Sequence, residues 1–314
     1  MFLSTAFLAL ASMLGSAQAA TYRRTDSVQG TQFNDWFDYQ NIRDPTNGRV
    51  NYVDRNTAIS QNLTFAGGDT FILRADSTRV VQANQAGRDS VRIRSKKTFS
   101  THVAVFDVRH MPQGCGTWPA IWETLEAGWP NGGEVDILEG VNDVGPNAAT
   151  LHTTPGCTMP AHAAQGMTGS WKQMDCNWLV NGNAGCGAYM RERRSYGPAF
   201  NQNGGGVYAL ERAPNYMKVW FWPRGVAPPR DIGTANVNPD TWGAPEVYFP
   251  DTQCNLREKF AANHIIINLT LCGDWAGAVY PGTCPSNCVN HVNTNPGAFR
   301  EAYFDFKSIN IYQL

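Results

Sequence analysis

Short runs of β-branched and aromatic residues, separated by clusters of Gly, Pro, Asn and Asp, constrain the fold of this 314-residue chain most strongly. Residues 70–73, 103–108 and 264–269 are examples, and long helical periodicities are rare. This pattern is typical of an all-β protein. The glycines at 204–206 suit a loop tip better than a linker, so we expect one domain over residues 20–314. A two-sheet β-sandwich of the jelly-roll type is predicted, with a concave sheet that forms an open cleft.

One of the predicted strands, residues 133–140 with the sequence GEVDILEG, places three carboxylates among aliphatic residues. Alternate residues of a strand share a face, so Glu134 and Asp136 point away from Val135. Glu139 reaches their face only if the strand carries one extra residue, and we therefore predict a β-bulge near residues 137–138. Asp136 would then lie between two glutamates whose repulsion raises at least one carboxyl pKa.

Such a group of acids suits glycoside hydrolysis, where one carboxylic acid protonates the leaving oxygen and a carboxylate attacks the anomeric carbon or activates water. The backbones of Glu134 and Glu139 would be roughly 13 Å apart at about 3.3 Å per residue, but long side chains can converge. A carboxyl separation of about 5 Å would indicate retention of configuration. A solvent-facing acidic strand or a calcium site remains the alternative from residue types alone.

Three tryptophans precede the acids: Trp118, Trp122 and Trp129. Sugar rings stack on indole faces, so these residues are candidates for a glycan-binding cleft. Trp122 follows an apolar run and could equally belong to the core, whereas Trp129, between Gly128 and Pro130, suits an exposed loop. For the alternating Trp220 and Trp222 further along the chain, core and cleft remain open.

The segment EVDILE resembles the Glu-x-Asp-x-x-Glu signature of glycoside hydrolase family 16, in the longer, bulged form of its laminarinase branch. Residues 44–52, 90–93, 151–153 and 272–277 are also similar to fungal secreted endo-β-1,3(4)-glucanases of that family. The resemblance covers essentially the whole chain after the first 19 residues. It implies a concanavalin A-like sandwich and a retaining endo-β-glucanase acting on β-1,3 or mixed β-1,3/1,4 glucans.

Carried over by position, the resemblance implies that Glu134 is the nucleophile, Glu139 the acid and then the base, and Asp136 a residue that tunes the pair. His152, on the next predicted strand, would hydrogen-bond a carboxylate or a sugar hydroxyl. Arg92 and Asn41 match sugar-binding positions, although each could be a surface or turn residue. A transglycosylase using the same glutamates and a non-catalytic glucan-binding module are the alternative functions.

The start of the chain predicts secretion. Residues 2–14 form an apolar run followed by small residues, which is typical of a signal peptide spanning residues 1–19. The run is too short to span a bilayer, and no second one follows, so no membrane association is expected. We expect a secreted, extracellular monomer.

All eight cysteines follow this segment, and their even number in an oxidising compartment predicts disulfides. Zinc is disfavoured because no Cys-x2-Cys unit is present. The pairing is open, since eight cysteines allow 105 connectivities. Asn62 and Asn268 begin glycosylation motifs, although Asn268 lies in an apolar run. The cysteines are Cys115, Cys157, Cys176, Cys186, Cys254, Cys272, Cys284 and Cys288.

The charge balance favours a neutral substrate. The formal net charge is −1 and no basic stripe is present, which argues against nucleic acid and acidic glycans. A neutral β-glucan is the expected partner. No cofactor and no catalytic metal are expected; a structural calcium is possible, as in parts of the resembled family, and Asp305 is a candidate ligand for it.

Overall fold

The computed structural model describes residues 21–314, so the predicted signal peptide lies outside the described residues. Most of the described chain is β-strand. In chain order the strands are β1 (Tyr22–Val28), β2 (Phe37–Tyr39), β3 (Val50–Tyr52), β4 (Thr64–Gly67), β5 (Thr70–Arg74), β6 (Arg88–Ser90), β7 (Arg92–Phe99), β8 (His102–His110), β9 (Thr117–Thr124), β10 (Glu134–Glu139), β11 (Ala148–His152), β12 (Ser170–Gln173), β13 (Cys186–Tyr189), β14 (Gly206–Ala213), β15 (Tyr216–Pro223), β16 (Asn236–Val237), β17 (Val247–Pro250), β18 (Asn263–Leu271) and β19 (Tyr303–Gln313).

The helices between these strands are short. They are α1 (Phe33–Trp36), α2 (Arg55–Ser60), α3 (Gly197–Gln202), α4 (Leu256–Lys259) and α5 (Cys288–Thr294). Across residues 21–314, no helix combines the length and the apolar character needed to cross a membrane.

Two antiparallel sheets make up the architecture. The nine-stranded outer sheet has the order β16-β1-β19-β8-β14-β15-β17, with β5 joined to β19 and β4 to β5. The eight-stranded cleft sheet has the order β12-β13-β11-β10-β9-β18-β7-β2. Strands β3 and β6 form a separate parallel pair. The predicted all-β, two-sheet jelly-roll sandwich is confirmed.

Alternating side chains of the two sheets fill the core between them. Val135 of β10, Ile267 of β18 and Phe106 of β8 are fully buried there. Each such side chain stabilises the fold by about 1.5–3 kcal/mol relative to exposure. Because one face of the cleft sheet is held in this core, the polar residues at alternate positions are held on the other face.

A second apolar cluster covers the opposite face of the outer sheet. Trp220 is 2% exposed, donates from Nε1 to the Gly243 carbonyl at 3.1 Å, and packs edge-on against Trp242. Trp222 also packs against Trp242, with ring centroids 5.7 Å apart. The open choice between core and cleft for Trp220 and Trp222 is therefore resolved in favour of packing, in a cluster away from the cleft.

The eight cysteines form four disulfides, as predicted. Cys115–Cys284 links the segment just before β9 to the segment before α5, and Cys272–Cys288 links the end of β18 to the start of α5. Cys157–Cys254 and Cys176–Cys186 brace the loops on the other side of β10 and β11. No cysteine of the described chain is free.

Candidate active site

The acidic strand β10 carries the predicted bulge. Asp136 is paired with Trp122 of β9, but the next pair is Leu138 with Ile121, so Ile137 is the extra residue. The bulge restores Glu139 to the face that already carries Glu134 and Asp136, because residues opposite one another on paired strands share a face. The three carboxylates therefore line one surface of the cleft sheet.

Asn147 holds this bulge in place. The side chain is fully buried, its Oδ1 accepts from the Glu139 backbone N–H at 2.9 Å, and its Nδ2 donates to the Ile137 carbonyl at 2.8 Å. Ser195 Oγ in turn accepts from the Asn147 backbone N–H at 3.0 Å. One amide thus satisfies the two backbone groups that the bulge removes from the strand ladder.

Each glutamate of the site is oriented by an indole. Trp118 Nε1 donates to Glu139 Oε1 at 2.9 Å, and Trp129 Nε1 donates to Glu134 Oε2 at 2.6 Å. Both tryptophans are half-buried, so their rings also form part of the cleft wall. Two of the three predicted cleft tryptophans therefore contact the acids directly.

His152 of β11 is opposite Glu134 in the strand register, and its ring reaches Asp136. Its Nε2 lies 3.4 Å from Asp136 Oδ2, an ion-pair distance, and Asp136 Oδ2 has no hydrogen bond to another described residue. Its other ring nitrogen, Nδ1, lies 2.9 Å from Asn183 Oδ1. The side-chain amide oxygen can only accept, so Nδ1 carries a proton in this arrangement.

Burial and neighbouring charges raise the pKa values of Asp136, Glu139 and His152, each from a different balance of causes. Burial, reinforced by Glu134 and Glu139, raises the pKa of Asp136 well above its ordinary value. Burial also raises the pKa of Glu139, against the opposing effect of the Trp118 hydrogen bond. For His152, burial works to lower the pKa, but Asp136 and the two glutamates outweigh it and raise the pKa to about 10. A protonated imidazole therefore lies among the three acids at neutral pH.

Three groups of this site lie close enough together to be candidate metal ligands. Ligand atoms of Glu134, Asp136 and His152 lie within 4.8 Å of one another. With Nδ1 bonded to Asn183, His152 would coordinate a metal through Nε2, which must first lose its proton. The pKa of about 10 opposes that loss at neutral pH, so the arrangement favours acid–base chemistry.

Trp122 contacts a cluster of buried polar side chains. The Arg92 guanidinium lies 5.0 Å from its ring centroid, and Trp122 Nε1 donates to Asn268 Oδ1 at 2.7 Å. Arg92 is 3% exposed and bonds Gln40 Oε1 and Glu126 Oε1, both at 2.7 Å. The structure therefore places Trp122 on the cleft face and Arg92 beneath it.

The two predicted glycosylation sites differ in burial. Asn268 is 5% exposed, and its amide also donates to the Tyr52 hydroxyl at 3.2 Å. Glycosylation at Asn268 stays a prediction, at a side chain that the fold buries. Asn62, by contrast, is exposed at the end of α2.

Two other predicted residues lie apart from the acids. Asn41 is exposed just after β2, at the edge of the cleft sheet, where it lines a cavity of about 480 Å³ together with Asp44 and Asn47. Asp305 lies on β19 in the outer sheet, where its Oδ1 is 3.3 Å from Arg109 Nε. A sugar contact for Asn41 and a calcium ion at Asp305 stay predictions.

Sequence reasoning missed several residues that complete the site: Gln40, Asn147, Lys172, Trp178, Asn183 and Trp275. Trp178 packs edge-on against Trp129 at 5.4 Å, and Trp275 against Trp118 at 5.5 Å. Lys172 lies 5.0 Å from the Trp275 ring centroid. The signal for Trp178 and Asn183 was their position between Cys176 and Cys186, and the signal for Trp275 was its place just after Cys272.

A family model described as "XgeA-like, catalytic GH16 domain" matches residues 37–312. Among curated proteins, a probable glycosidase of Schizosaccharomyces pombe is 43% identical over 95% of this chain and 71% of its own length. A probable endo-1,3(4)-β-glucanase of Aspergillus fumigatus is 40% identical over 99% of this chain, which spans only 48% of that protein.

Solved structures of family 16 proteins are also similar to this chain over most of its length. The GH16 laminarinase 16A from Phanerochaete chrysosporium, described with β-glucans in both donor and acceptor sites, is 56% identical with a TM-score of 0.92. The match covers 94% of this chain and 100% of that one. An elongating GH family 16 β-1,3-glucosyltransferase is 35% identical with a TM-score of 0.86, over 93% of this chain and 99% of that one.

Proposed function

The chain belongs to glycoside hydrolase family 16, and from this premise we propose that it is a retaining endo-β-glucanase that hydrolyses β-1,3 or mixed β-1,3/1,4 glucans. The observation that carries the proposal is the bulged strand β10, which places Glu134, Asp136 and Glu139 on one face of the cleft sheet. Two carboxyl groups flanking one bond, one of them protonated, are what glycoside cleavage requires.

In the first step, the Glu134 carboxylate forms a bond to the anomeric carbon while the bond from that carbon to the glycosidic oxygen breaks. Glu139 transfers its proton to the departing oxygen, so the leaving sugar becomes a free alcohol. The raised pKa of Glu139 keeps that proton available above the ordinary range of a glutamic acid. The Trp129 hydrogen bond fixes the attacking side chain of Glu134.

In the second step, Glu139, now ionised, accepts a proton from water as the water oxygen attacks the anomeric carbon. The bond to Glu134 breaks and the sugar is released with its original configuration. Asp136 and His152 lie between the two glutamates, where their charges act on the ionisation of Glu139 in both steps. Since His152 is cationic, it lowers the cost of ionising Glu139 after its proton has left.

The substrate class follows from the surface around the acids. Trp118, Trp122 and Trp129 present rings suited to stacking on glucose, and the chain carries no net charge that would attract a polyanion. Its relatives include proteins named for endo-1,3(4)-β-glucanase activity. Because this chain spans about half the length of such relatives, the activity of the whole protein is part of the proposal.

The test is product analysis with purified protein on laminarin, lichenan, cellulose and xylan, with the anomeric configuration of new ends followed by NMR. We expect β-configured oligosaccharides from the two β-glucans, and at least about a 10³-fold loss of kcat in Glu134→Gln. Glu301→Gln, at a carboxylate that is 62% exposed and lies two residues before the outer-sheet strand β19, is the matched control and should keep wild-type activity. Near-normal hydrolysis by Glu134→Gln would refute the assignment.

Transglycosylation is the second candidate, because one structurally similar relative is an elongating β-1,3-glucosyltransferase. A sugar hydroxyl would then replace water in the second step, with Glu139 accepting its proton. Laminari-oligosaccharides longer than the supplied substrate, seen by mass spectrometry at high substrate concentration, would identify this reaction.

The remaining features complete the proposal. We propose one catalytic domain over residues 20–314, secreted as a monomer after removal of residues 1–19, with a glycan at Asn62. Four disulfides support an oxidising, extracellular location. Mass analysis of the protein from culture medium, before and after removal of N-glycans, tests both the cleavage site and the glycan.

A further inference from the structure

The loop between β12 and β13 is built around the Cys176–Cys186 disulfide, which closes a segment of 10 residues. Within it, Val180 N–H donates to the Asn177 carbonyl and Asn183 N–H donates to the Val180 carbonyl, so the loop consists of successive tight turns. Its start is tied to the strand segment after His152, because Thr153 N–H donates to the Cys176 carbonyl at 2.8 Å. The loop is therefore anchored beside the imidazole at both ends.

Two side chains of this loop point at the reaction centre. Asn183 Oδ1 accepts from His152 Nδ1 at 2.9 Å, and Trp178 packs on Trp129, which bonds Glu134. The backbone lies flush against the histidine at Gly185, whose φ is +62°. A Cβ at that position would meet His152 Cε1 at 2.9 Å, so only glycine lets the loop approach this closely.

The titratable groups that face His152 all lie on β10: Glu134, Asp136 and Glu139. On the other side, β13 contributes only one titratable side chain, Tyr189, which pairs with Ala148 at the far end of β11. Asn183 is therefore the polar partner of the imidazole on the side away from the acids. With Nδ1 donating to it, Nε2 points toward Asp136.

We propose that Asn183 is a positioning residue that fixes the His152 ring with Nδ1 donating to it and Nε2 directed at Asp136, and that the Cys176–Cys186 loop presents Asn183 to the ring. The inference rests on the proposed function and names a residue that supports the reaction without contacting substrate. It predicts that removing Asn183 changes the ionisation of His152 and lowers turnover, with substrate binding preserved.

The first test follows the His152 ring by NMR titration in wild type and Asn183→Ala, with His152→Gln used to assign the resonance among the six histidines. Losing an acceptor for a charged donor should lower the pKa of His152 by about one unit. The control is Asn181→Ala. Asn181 is an exposed asparagine of the same loop with a similar φ of 52°, against 60° for Asn183, and its side chain has no hydrogen bond to a described residue. An unchanged His152 titration in Asn183→Ala would overturn the inference.

The second test measures kcat and KM on laminarin across pH. We expect Asn183→Ala to lower kcat at least about threefold with KM within about twofold, because the loss is one of positioning. Its alkaline limb should move to higher pH, since a displaced cation no longer lowers the pKa of Glu139. Asn183→Asp keeps an acceptor oxygen and should restore kcat. A rise in KM alone would make the loop a sugar-binding wall and overturn the positioning role.

The two proposals fail in distinguishable ways. If the wild-type protein releases no sugar from any β-glucan, the proposed function fails, but the NMR titration still decides whether Asn183 controls His152. If the wild-type protein hydrolyses β-glucan and the titration of His152 is the same in wild type and Asn183→Ala, only the inference about Asn183 fails.

Discussion

Replacing Asn147 by alanine should damage stability and catalysis through one side chain. The substitution removes the acceptor for the Glu139 backbone N–H and the donor for the Ile137 carbonyl, both in a fully buried position. A buried polar group without a partner costs about 1–3 kcal/mol, so two should lower the free energy of unfolding by about 2–6 kcal/mol. The bulge loses its support at the same time, and a displacement of Glu139 by about 1 Å can reduce kcat by up to about 10²-fold.

Urea unfolding followed by tryptophan fluorescence, with the disulfides intact, measures the first effect. The second is measured as kcat on laminarin at a temperature where both proteins are folded. Asn201→Ala is the matched control: Asn201 also bonds a backbone N–H and a carbonyl, both of Met111, but it lies on α3 away from β10. The Asn201→Ala variant should have a lower free energy of unfolding and the wild-type kcat. If Asn147→Ala is destabilised yet has the wild-type kcat and pH profile, the clamp has no catalytic role and the reasoning fails.

Three further outcomes are expected. Trp129→Phe keeps a ring but removes the hydrogen bond to Glu134, so kcat should fall about tenfold, as expected for a hydrogen bond to a charged group; the control Trp222→Phe, in the cluster on the far face of the outer sheet, should change kcat less than twofold. Glu139→Gln should raise Tm at pH 7: the folded pKa of Glu139 lies above its ordinary 4.5, so the ionised side chain destabilises the fold once the pH exceeds 4.5, and calorimetry should find no gain near pH 3. Replacing Cys115 and Cys284 by alanine should cost about 4 kcal/mol in urea unfolding, against about 3 kcal/mol for Cys176 and Cys186, because the first pair closes the longer loop even with Cys157–Cys254 and Cys272–Cys288 intact; a larger loss for the second pair would contradict the loop-entropy argument.

The part of the site that sequence predicted lies on single strands. Counting residues from Glu134 to Glu139 was enough to require the bulge, because the alternation of a strand is a local property. The resemblance placed His152 near the acids on the next strand, but which carboxylate it contacts depends on the strand register and was left open between a carboxylate and a sugar hydroxyl. The disulfide partners could not be predicted, since they depend on which loops meet in space.

Asn147 and Asn183 could not be identified for the same physical reason. An asparagine in a loop is usually a turn residue, and nothing in its neighbours distinguishes one that reaches a bulge or an imidazole. Arg92 shows the converse limit. Its position near the cleft follows from β7 lying beside β18. Only the folded structure shows that its guanidinium donates hydrogen bonds to Gln40 and Glu126 and lies against the ring of Trp122.

The four disulfides have a consequence for how this cleft is used over many turnovers. Cys115–Cys284 and Cys272–Cys288 lie beside the Trp118 and Trp275 end, and Cys157–Cys254 and Cys176–Cys186 lie beside the Trp129 and Trp178 end. Ordering a loop around each arriving polymer would subtract from binding at every encounter. Here the four covalent bonds hold the walls in the folded chain, so a polysaccharide meets a cleft whose shape need not be ordered again at each encounter.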